Sequence, residues 1–332
     1  MAERTPVVLV TGFLGSGKTT LISALLAHPG LGETAVLVNE LGEVAIDHHL
    51  VRRVDERTVV LASGCVCCTL RGDLRDELRD LLVRRARGEI PAFERVIVET
   101  TGLADPAPVL STLRTEPVLT HQYAIEAVVA TVDAVAGAAT LDRQPESVKQ
   151  AAVADTLVVT KADAAEPAAV AAIEARLREL NPLATIVRAA FGAVEPEALL
   201  RGRGEDLPPP AAAAPVAPDA AGTHAGDVRA FALVIDEALD WDAFAVWLTM
   251  LLHSRGTEIL RVKGLLDVGE AAPVLLDGVQ HVVSPPRHLD AWPDDDHRTR
   301  IVFITRGVER AAIAASLRAF NRLGHATAPA LP

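Results

Sequence analysis

The chain has 332 residues, with 44 acidic against 32 basic side chains and a formal net charge of −12 at pH 7. This length predicts a sizeable core and, at about 150 residues per domain, two domains. The acidic balance argues against nucleic acid and anionic membrane surfaces as partners. Because no stretch reaches the roughly 18 uninterrupted apolar residues of a membrane span, we expect a cytoplasmic protein with no membrane partner.

The N-terminal part alternates apolar strand patterns with helical patterns. Two segments carry leucine, isoleucine or valine at helical spacing, starting at Leu74 and at Val170. The predicted strands are 7–10, 35–38, 58–61, 95–98, 127–132 and 156–160. Strands that alternate with helices predict an α/β fold, a doubly wound, mostly parallel sheet, and we assign it to residues 1–200.

Residues 201–226 are dominated by proline, alanine and glycine, which predicts a linker with no face to bury. Residues 227–332 then show strand patterns at 228–235, 259–268, 273–276, 279–283 and 301–305, and helical patterns at 241–252 and 309–320. The sequence therefore predicts a second, smaller α+β domain after the linker.

The segment GFLGSGKT matches the phosphate-binding pattern GxxxxGK[ST]. Its glycines allow backbone N–H groups to surround phosphates, Lys18 would neutralise the β and γ charges, and the Thr19 hydroxyl would bind Mg²⁺. A glycine-rich turn before a helix is the alternative, but the strand before it and the helix after it favour nucleotide binding. The predicted phosphate site comprises Gly12, Gly15, Ser16, Gly17, Lys18, Thr19 and Thr20.

A second polar motif, ETTGLADP, begins where an apolar strand ends. In a phosphate-binding fold, an acid at this place can hold the Mg²⁺ shell, and a glycine can approach the γ-phosphate. The alternative is a solvated glutamate at an ordinary strand end. We predict Lys18, Glu99 and Gly102 as the catalytic residues.

The segment TKAD at the end of the last predicted strand is similar to the NKxD base-recognition motif of GTPases. Asp163 could accept hydrogen bonds from guanine, and Lys161 could lay its stem over the base and reach the phosphate loop. Thr160 stands where asparagine is usual, which removes an amide that contacts the base or braces the loop. These three residues complete the predicted nucleotide site.

All three cysteines of the chain fall within one four-residue stretch, which excludes a disulfide framework between distant segments. A helix is predicted just after them, and its N-terminus favours thiolates. Two or three thiolates from one short loop bind a soft metal but leave its tetrahedral shell incomplete. Small buried side chains or a redox-sensing thiol pair are the alternatives. The predicted thiolate ligands are Cys65, Cys67 and Cys68.

A further metal ligand could come from the loop NELGEVAID, which offers Glu40 and Glu43 and is followed by His48 and His49. For the two histidines we favour a solvated loop without metal. Thiolates with a carboxylate suit Zn²⁺, while Co²⁺ fits the same shell more weakly. The sequence thus predicts Zn²⁺, or alternatively Co²⁺, at a site of the three cysteines and Glu40, with Thr19 as a ligand of the separate Mg²⁺.

Taken in order, GFLGSGKTTL, NELGEVAID, GCVCCTL, VIVETTGLADP and TKAD resemble the CobW-type family of P-loop metallochaperone GTPases. The segments ILRVKGLLDV, GVQHVV and RIVFITRG resemble the C-terminal domain of that family. The resemblance implies binding and hydrolysis of GTP with Mg²⁺, and delivery of zinc, cobalt or iron to a client metalloenzyme or cofactor-pathway protein.

Residue by residue, the resemblance assigns the family's metal motif to the three cysteines, its switch acid to Glu40, its phosphate and Mg²⁺ contacts to Lys18 and Thr19, and its ExxG acid to Glu99. The sequence departs from the family's pattern at two places. Thr160 replaces the usual asparagine, and the linker retains only His224 where many relatives carry a histidine-rich tract.

Two other functions fit part of the sequence. A P-loop kinase for a small molecule would explain the phosphate loop but not the cysteines. A nucleotide-gated redox or scaffold protein would use Cys67 or Cys68 as a sensor thiol. A homo-oligomer is compatible with all of these functions.

Overall fold

The computed structural model describes residues 4–38, 58–62, 70–200 and 227–327. The chain divides between Asp206 and Leu207 into two compact units, each with its own sheet. The predicted linker, 201–226, lies outside the described residues, so its bounds stay a prediction. None of the described helices is both long enough and apolar enough to cross a membrane.

In the first unit, the described strands form one parallel sheet in the order β3-β2-β4-β1-β5-β6-β7. The strands are β1 (Thr5–Gly12), β2 (Thr34–Val38), β3 (Thr58–Ala62), β4 (Arg95–Glu99), β5 (Tyr123–Asp133), β6 (Thr156–Thr160) and β7 (Thr185–Arg188). The predicted parallel α/β sheet is confirmed. The short edge strand β7 was not predicted, because half-buried side chains at a sheet edge leave little apolar signal.

Helices cover both faces of this sheet, as a parallel sheet requires. They are α1 (Lys18–Leu26), α2 (Leu70–Ala86), α3 (Ala107–Thr115), α4 (Pro117–Gln122), α5 (Gly137–Arg143), α6 (Pro145–Val153), α7 (Pro167–Leu180) and α8 (Pro196–Leu200), with a 3₁₀ turn at Pro29–Leu31. The apolar residues predicted to share one helix face are buried in α2 and α7, among them Leu78 and Leu177. On one face, Leu21 and Ile22 of α1 pack against Val8 and Val10 of β1.

Strand β1 lies in the middle of the sheet, between β4 and β5. The chain continues from β1 towards β2 on one side and from β4 towards β5 on the other side. Where two such connections diverge, a crevice forms at the carboxyl edge of the sheet. The loop between β1 and α1 opens at this crevice. The topology therefore places GFLGSGKT, ETTGLADP and TKAD at a single edge of the sheet.

The second unit is an antiparallel sheet in the order β11-β10-β9-β13-β8, with β12 paired to β10. Two long helices accompany it, and its core includes Phe244, Trp247, Phe303 and Ile313. Its elements are β8 (Val228–Ile235), α9 (Trp241–Arg255), β9 (Ile259–Leu266), β10 (Val274–Val279), β11 (Val282–Val283), β12 (Arg287–His288), β13 (Thr299–Arg306) and α10 (Arg310–Thr327).

The two strands predicted at 273–276 and 279–283 exist, but their bounds were wrong, since the division falls after Val279 and not after Leu276. Strand β10 runs through to Val279, and a tight turn then leads into β11, where Val282 pairs back with Val279. Gln280 adopts a positive φ of 49° in this turn, a backbone conformation that ends a strand. Valines stand on both sides of the turn, at Val279 and at Val282–Val283, which is why the sequence pattern did not reveal it.

Candidate nucleotide-binding site

The loop between β1 and α1 depends on three glycines with positive φ: Gly12 at 141°, Gly15 at 72° and Gly17 at 93°. A methyl group on Gly12 would lie 2.2 Å from Thr131 Oγ1 and 2.7 Å from Ser16 Oγ. These two hydroxyls are themselves hydrogen-bonded, at 2.6 Å, which ties the loop to β5. Only glycine fits at position 12, and the loop backbone curls as phosphate binding requires.

The ammonium group of Lys18 lies over the loop that precedes it. Its Nζ donates to Gly12 O at 3.0 Å and to Phe13 O at 3.3 Å, and the residue is 8% exposed. A buried cation at the N-terminus of α1 adds to the positive end of the helix dipole. The arrangement concentrates positive potential at the crevice, where an anionic phosphate would be stabilised.

Glu99 ends β4 beside Val10 of β1 and is 1% exposed. Its Oε1 accepts a hydrogen bond of 3.0 Å from Thr19 Oγ1 in the first turn of α1. A carboxylate and a hydroxyl at this distance are hard oxygen donors of the kind that Mg²⁺ takes from a protein. The two residues that the sequence assigned to the Mg²⁺ shell are thus direct neighbours in the fold.

Gly102 follows Glu99 by three residues and packs against the phosphate loop. A methyl group on Gly102 would lie 2.6 Å from Leu14 N and 2.5 Å from Leu14 Cδ2. From α6, the buried Gln150 donates through Nε2 to Gly102 O at 3.1 Å and to Ala104 O at 3.0 Å. The ETTGLADP loop is therefore fixed between α6 and the phosphate loop.

Thr160 braces the phosphate loop from the end of β6. Its hydroxyl donates to Ser16 O at 2.7 Å and lies 3.3 Å from Val132 O. Asparagine at this place was expected either to contact the base or to brace the loop, and threonine keeps the bracing contact. The departure from the NKxD pattern therefore leaves the loop supported.

We expect Thr160→Val to lower the free energy of unfolding by about 1–3 kcal/mol, because the isosteric side chain leaves the buried Ser16 carbonyl without its donor. The loosened loop should also weaken nucleotide binding, and the fold-loss in affinity should be the same for GDP as for ADP. Denaturant unfolding and calorimetric titration measure the two effects. Loss of GDP affinity alone would mean that Thr160 contacts the base instead.

Lys161 reaches the phosphate loop, as the sequence predicted. Its Nζ donates to Gly15 O at 2.9 Å and pairs with Asp133 Oδ2 at 2.6 Å. Burial alone would raise the pKa of Asp133, but hydrogen bonds from Lys161 and from the Val135 and Ala136 amides outweigh it and hold this pKa below its usual range. Asp133 therefore stays ionised and fixes the direction of the Lys161 side chain.

Asp133 was not among the sequence candidates. The signal that could have found it is an acid at the end of an apolar strand, the same signal that identified Glu99. Of the remaining candidates, Asp163 is exposed two residues after Lys161, and Thr20 is exposed in the first turn of α1. Both lie at the carboxyl edge of the sheet, open to a ligand.

The predicted metal ligands Cys65, Cys67, Cys68 and Glu40 lie outside the described residues. The described chain leads to them from adjacent strands: Val38, at the end of β2, pairs with both Glu99 of β4 and Ala62 of β3. Among the described residues there is no group of three or more histidine, cysteine, aspartate or glutamate side chains that could hold a metal.

A parallel sheet with a glycine-rich loop, its lysine and a threonine–glutamate pair at the switch point defines a P-loop nucleotide-binding protein. The sequence model of the "CobW/HypB/UreG, nucleotide-binding domain" family matches residues 6–188, and that of the "Cobalamin synthesis protein cobW C-terminal domain" matches residues 228–321. The chain therefore belongs to the CobW family, and the resemblance of its motifs to that family is confirmed.

Two known relatives match nearly the whole chain. The zinc chaperone YjiA of Escherichia coli is 31% identical over 299 residues, which cover 90% of this chain and 93% of the relative. The zinc chaperone CobW of Pseudomonas aeruginosa is also 31% identical, with 94% of this chain and 90% of the relative covered. The crystal structure of the Zn(II)-bound YjiA GTPase from E. coli superposes with a TM-score of 0.75 at 26% identity and covers 96% of this chain and 99% of that one.

Proposed function

We propose that this protein is a GTP-hydrolysing metallochaperone that binds a transition metal, preferably Zn²⁺, as cargo and delivers it to a client protein. The observation that carries the proposal is the Thr19–Glu99 pair, which lies at the edge where β2 and β3 lead into the Glu40 and cysteine segments. The names of the relatives, zinc chaperones and a Zn(II)-bound GTPase, support both halves of the proposal.

The nucleotide half of the function would use residues of one crevice. Lys18 and the loop amides would hold the β- and γ-phosphates, and Asp163 would accept hydrogen bonds from guanine. Thr19 and Glu99 would hold Mg²⁺, which when bound supplies charge neutralisation for phosphoryl transfer. Lys161, held by Asp133, would keep Gly15 and the phosphate loop in position.

The metal half would use the thiolates of Cys65, Cys67 and Cys68 with Glu40. Three soft thiolates and a carboxylate make a tetrahedral set that suits Zn²⁺, with Co²⁺ as a weaker fit. Glu40 follows β2 by two residues, and β2 lies beside the strand that ends in Glu99. A segment in that place can respond to the γ-phosphate, so hydrolysis would open the metal shell and release the cargo.

The test is a competition titration of Zn²⁺ and Co²⁺ into the full chain with GTPγS, GDP or no nucleotide. We expect GTPγS to tighten Zn²⁺ binding at least about tenfold relative to GDP, a coupling of roughly 1.4 kcal/mol. A variant with all three cysteines changed to serine should lose about 100-fold or more in affinity while it still binds GTP, because serine is a poor ligand for soft metals.

A matched control is His253→Ala in combination with His281→Ala, since both histidines belong to the second unit and neither is among the proposed ligands. If Zn²⁺ affinity is weak, indifferent to nucleotide or unchanged by the serine substitutions, the chaperone proposal is wrong. Small-molecule kinase assays would then be the next step.

A further inference from the structure

An exposed aromatic ring stands at the same edge of the sheet as the proposed nucleotide site. Phe191 follows β7 by three residues and is 84% exposed, the largest fraction among the exposed large apolar residues of the described chain. It was not a sequence candidate, and it makes none of the P-loop hydrogen bonds found among the described residues.

The turn that carries Phe191 is held against the nucleotide-binding helix. Ala193 N donates to Ala190 O at 2.9 Å across the turn, and Gly192 adopts a φ of 78°. A methyl group on Gly192 would lie 2.7 Å from Thr20 O in the first turn of α1. The turn therefore packs directly beside the helix that begins at Lys18.

The sheet register places Phe191 and Lys161 at the same edge of the sheet, just beyond the ends of neighbouring strands. Strands β6 and β7 are parallel neighbours in which Val159 pairs with Arg188, and Ala189 N donates to Val159 O at 2.9 Å. Lys161 and Phe191 thus leave adjacent strands at one edge, two and three residues beyond this pair. Both have a positive φ, 54° and 53° respectively.

A positive φ is unfavourable for a bulky side chain, and an exposed ring recovers little of that cost through burial. Strained residues of this kind concentrate at ligand sites, where the conformation serves binding. A ligand that covers the Phe191 ring would account for both the strain and the exposure of this residue. A planar aromatic base next to Lys161 would be such a ligand.

We propose that Phe191 is a stacking platform for the nucleobase, with its ring against one face of the base and the aliphatic stem of Lys161 against the other. This inference rests on the proposed nucleotide site and adds a binding residue to it. Since every base has a π-face, the stacking contributes affinity without selecting the base. Selection of guanine stays with Asp163.

The decisive variant is Phe191→Asn, because asparagine tolerates a positive φ and lacks the ring. In calorimetric titrations of the full chain with Mg²⁺, we expect this variant to bind GDP and GTP about tenfold more weakly, as loss of base stacking predicts. Binding of inorganic tripolyphosphate, which has no base, should be unchanged. The melting temperature should stay equal or rise, since the strain is relieved.

Phe191→Trp gives a direct spectroscopic readout. The three native tryptophans, Trp241, Trp247 and Trp292, all lie in the second unit, so the new indole would be the one tryptophan of residues 1–200. We expect GDP to quench its fluorescence and tripolyphosphate to leave it unchanged. The wild-type chain supplies the background signal, and Val118→Ala, an exposed apolar residue on α4, is the matched control for affinity.

The possible results distinguish failure of the proposed nucleotide site from failure of the proposed stacking role of Phe191. If the wild-type chain binds neither GDP nor tripolyphosphate, the proposed nucleotide site itself fails. If the wild-type chain binds GDP, Phe191→Asn binds it equally well, and the Phe191→Trp indole does not respond, the stacking role of Phe191 is refuted while the nucleotide site stands.

Discussion

Glu99→Gln should lower the rate of GTP hydrolysis by about 100-fold, since it removes the negative charge of a 1%-exposed side chain that touches Thr19. A loss of this size corresponds to about 2.7 kcal/mol of transition-state stabilisation. The amide keeps the shape of the side chain, so folding should be retained. Single-turnover hydrolysis at saturating Mg²⁺ measures the effect.

Two further measurements show whether the loss comes from the metal shell. Binding of GDP in the presence of EDTA should be the same in the Glu99→Gln variant and the wild-type chain, because the phosphate loop is intact. Glu126→Gln, which alters an acid near the amino end of β5 that pairs with Arg95, is the matched control and should leave hydrolysis unchanged. Equal rates in the two variants would remove Glu99 from the catalytic set.

Gly102→Ala should lower the rate of GTP hydrolysis nearly as much as Glu99→Gln, because it displaces the phosphate loop and not because it removes a charge. Its new methyl group would lie 2.6 Å from Leu14 N, so the backbone of the phosphate loop has to move. A displacement near 1 Å in a catalytic arrangement costs about 100-fold in rate. Hydrolysis and GDP affinity in EDTA should therefore both fall, whereas Glu99→Gln should lower hydrolysis and leave GDP affinity in EDTA unchanged.

A double substitution tests this steric explanation. Leu14→Ala removes the Cγ and Cδ2 contacts, at 2.7 and 2.5 Å from the added methyl group, but not the contact with the backbone N. We therefore expect Leu14→Ala to restore part of the activity of Gly102→Ala, with a coupling that a double-mutant cycle quantifies. If the two effects simply add, the clash with the Leu14 side chain is not what damages Gly102→Ala.

Features that depend on local sequence were predictable. The phosphate loop needs glycines, a lysine and a threonine at fixed spacing, and the buried strands around it carry continuous apolar runs, so both the fold class and Lys18 followed from the sequence. The position of Glu99 was predictable too, because an acid that ends an apolar strand lies at the carboxyl edge of a parallel sheet.

Features that depend on long-range contacts were not predictable. The position of Asp133 at the end of an apolar strand was visible in the sequence, but its role comes from Lys161, 28 residues away, and from two backbone amides. Phe191 follows a strand too short and too exposed to stand out in the sequence. That Thr160 braces Ser16, 144 residues away, emerged only from the three-dimensional packing of β6 against the phosphate loop.

The two hydrogen bonds from Gln150 also determine how often the ETTGLADP loop leaves its observed conformation. Leaving the buried Gly102 carbonyl unpaired would cost about 1–3 kcal/mol, and losing the hydrogen bond to the half-buried Ala104 carbonyl would cost about 0.5–1.5 kcal/mol more. At about 3 kcal/mol, fewer than one molecule in a hundred would hold the displaced loop at any moment. A ligand that binds Gly102 in the displaced position would therefore switch the loop between two states, one hydrogen-bonded to Gln150 and one released from it. A loop without these hydrogen bonds would instead sample many intermediate conformations.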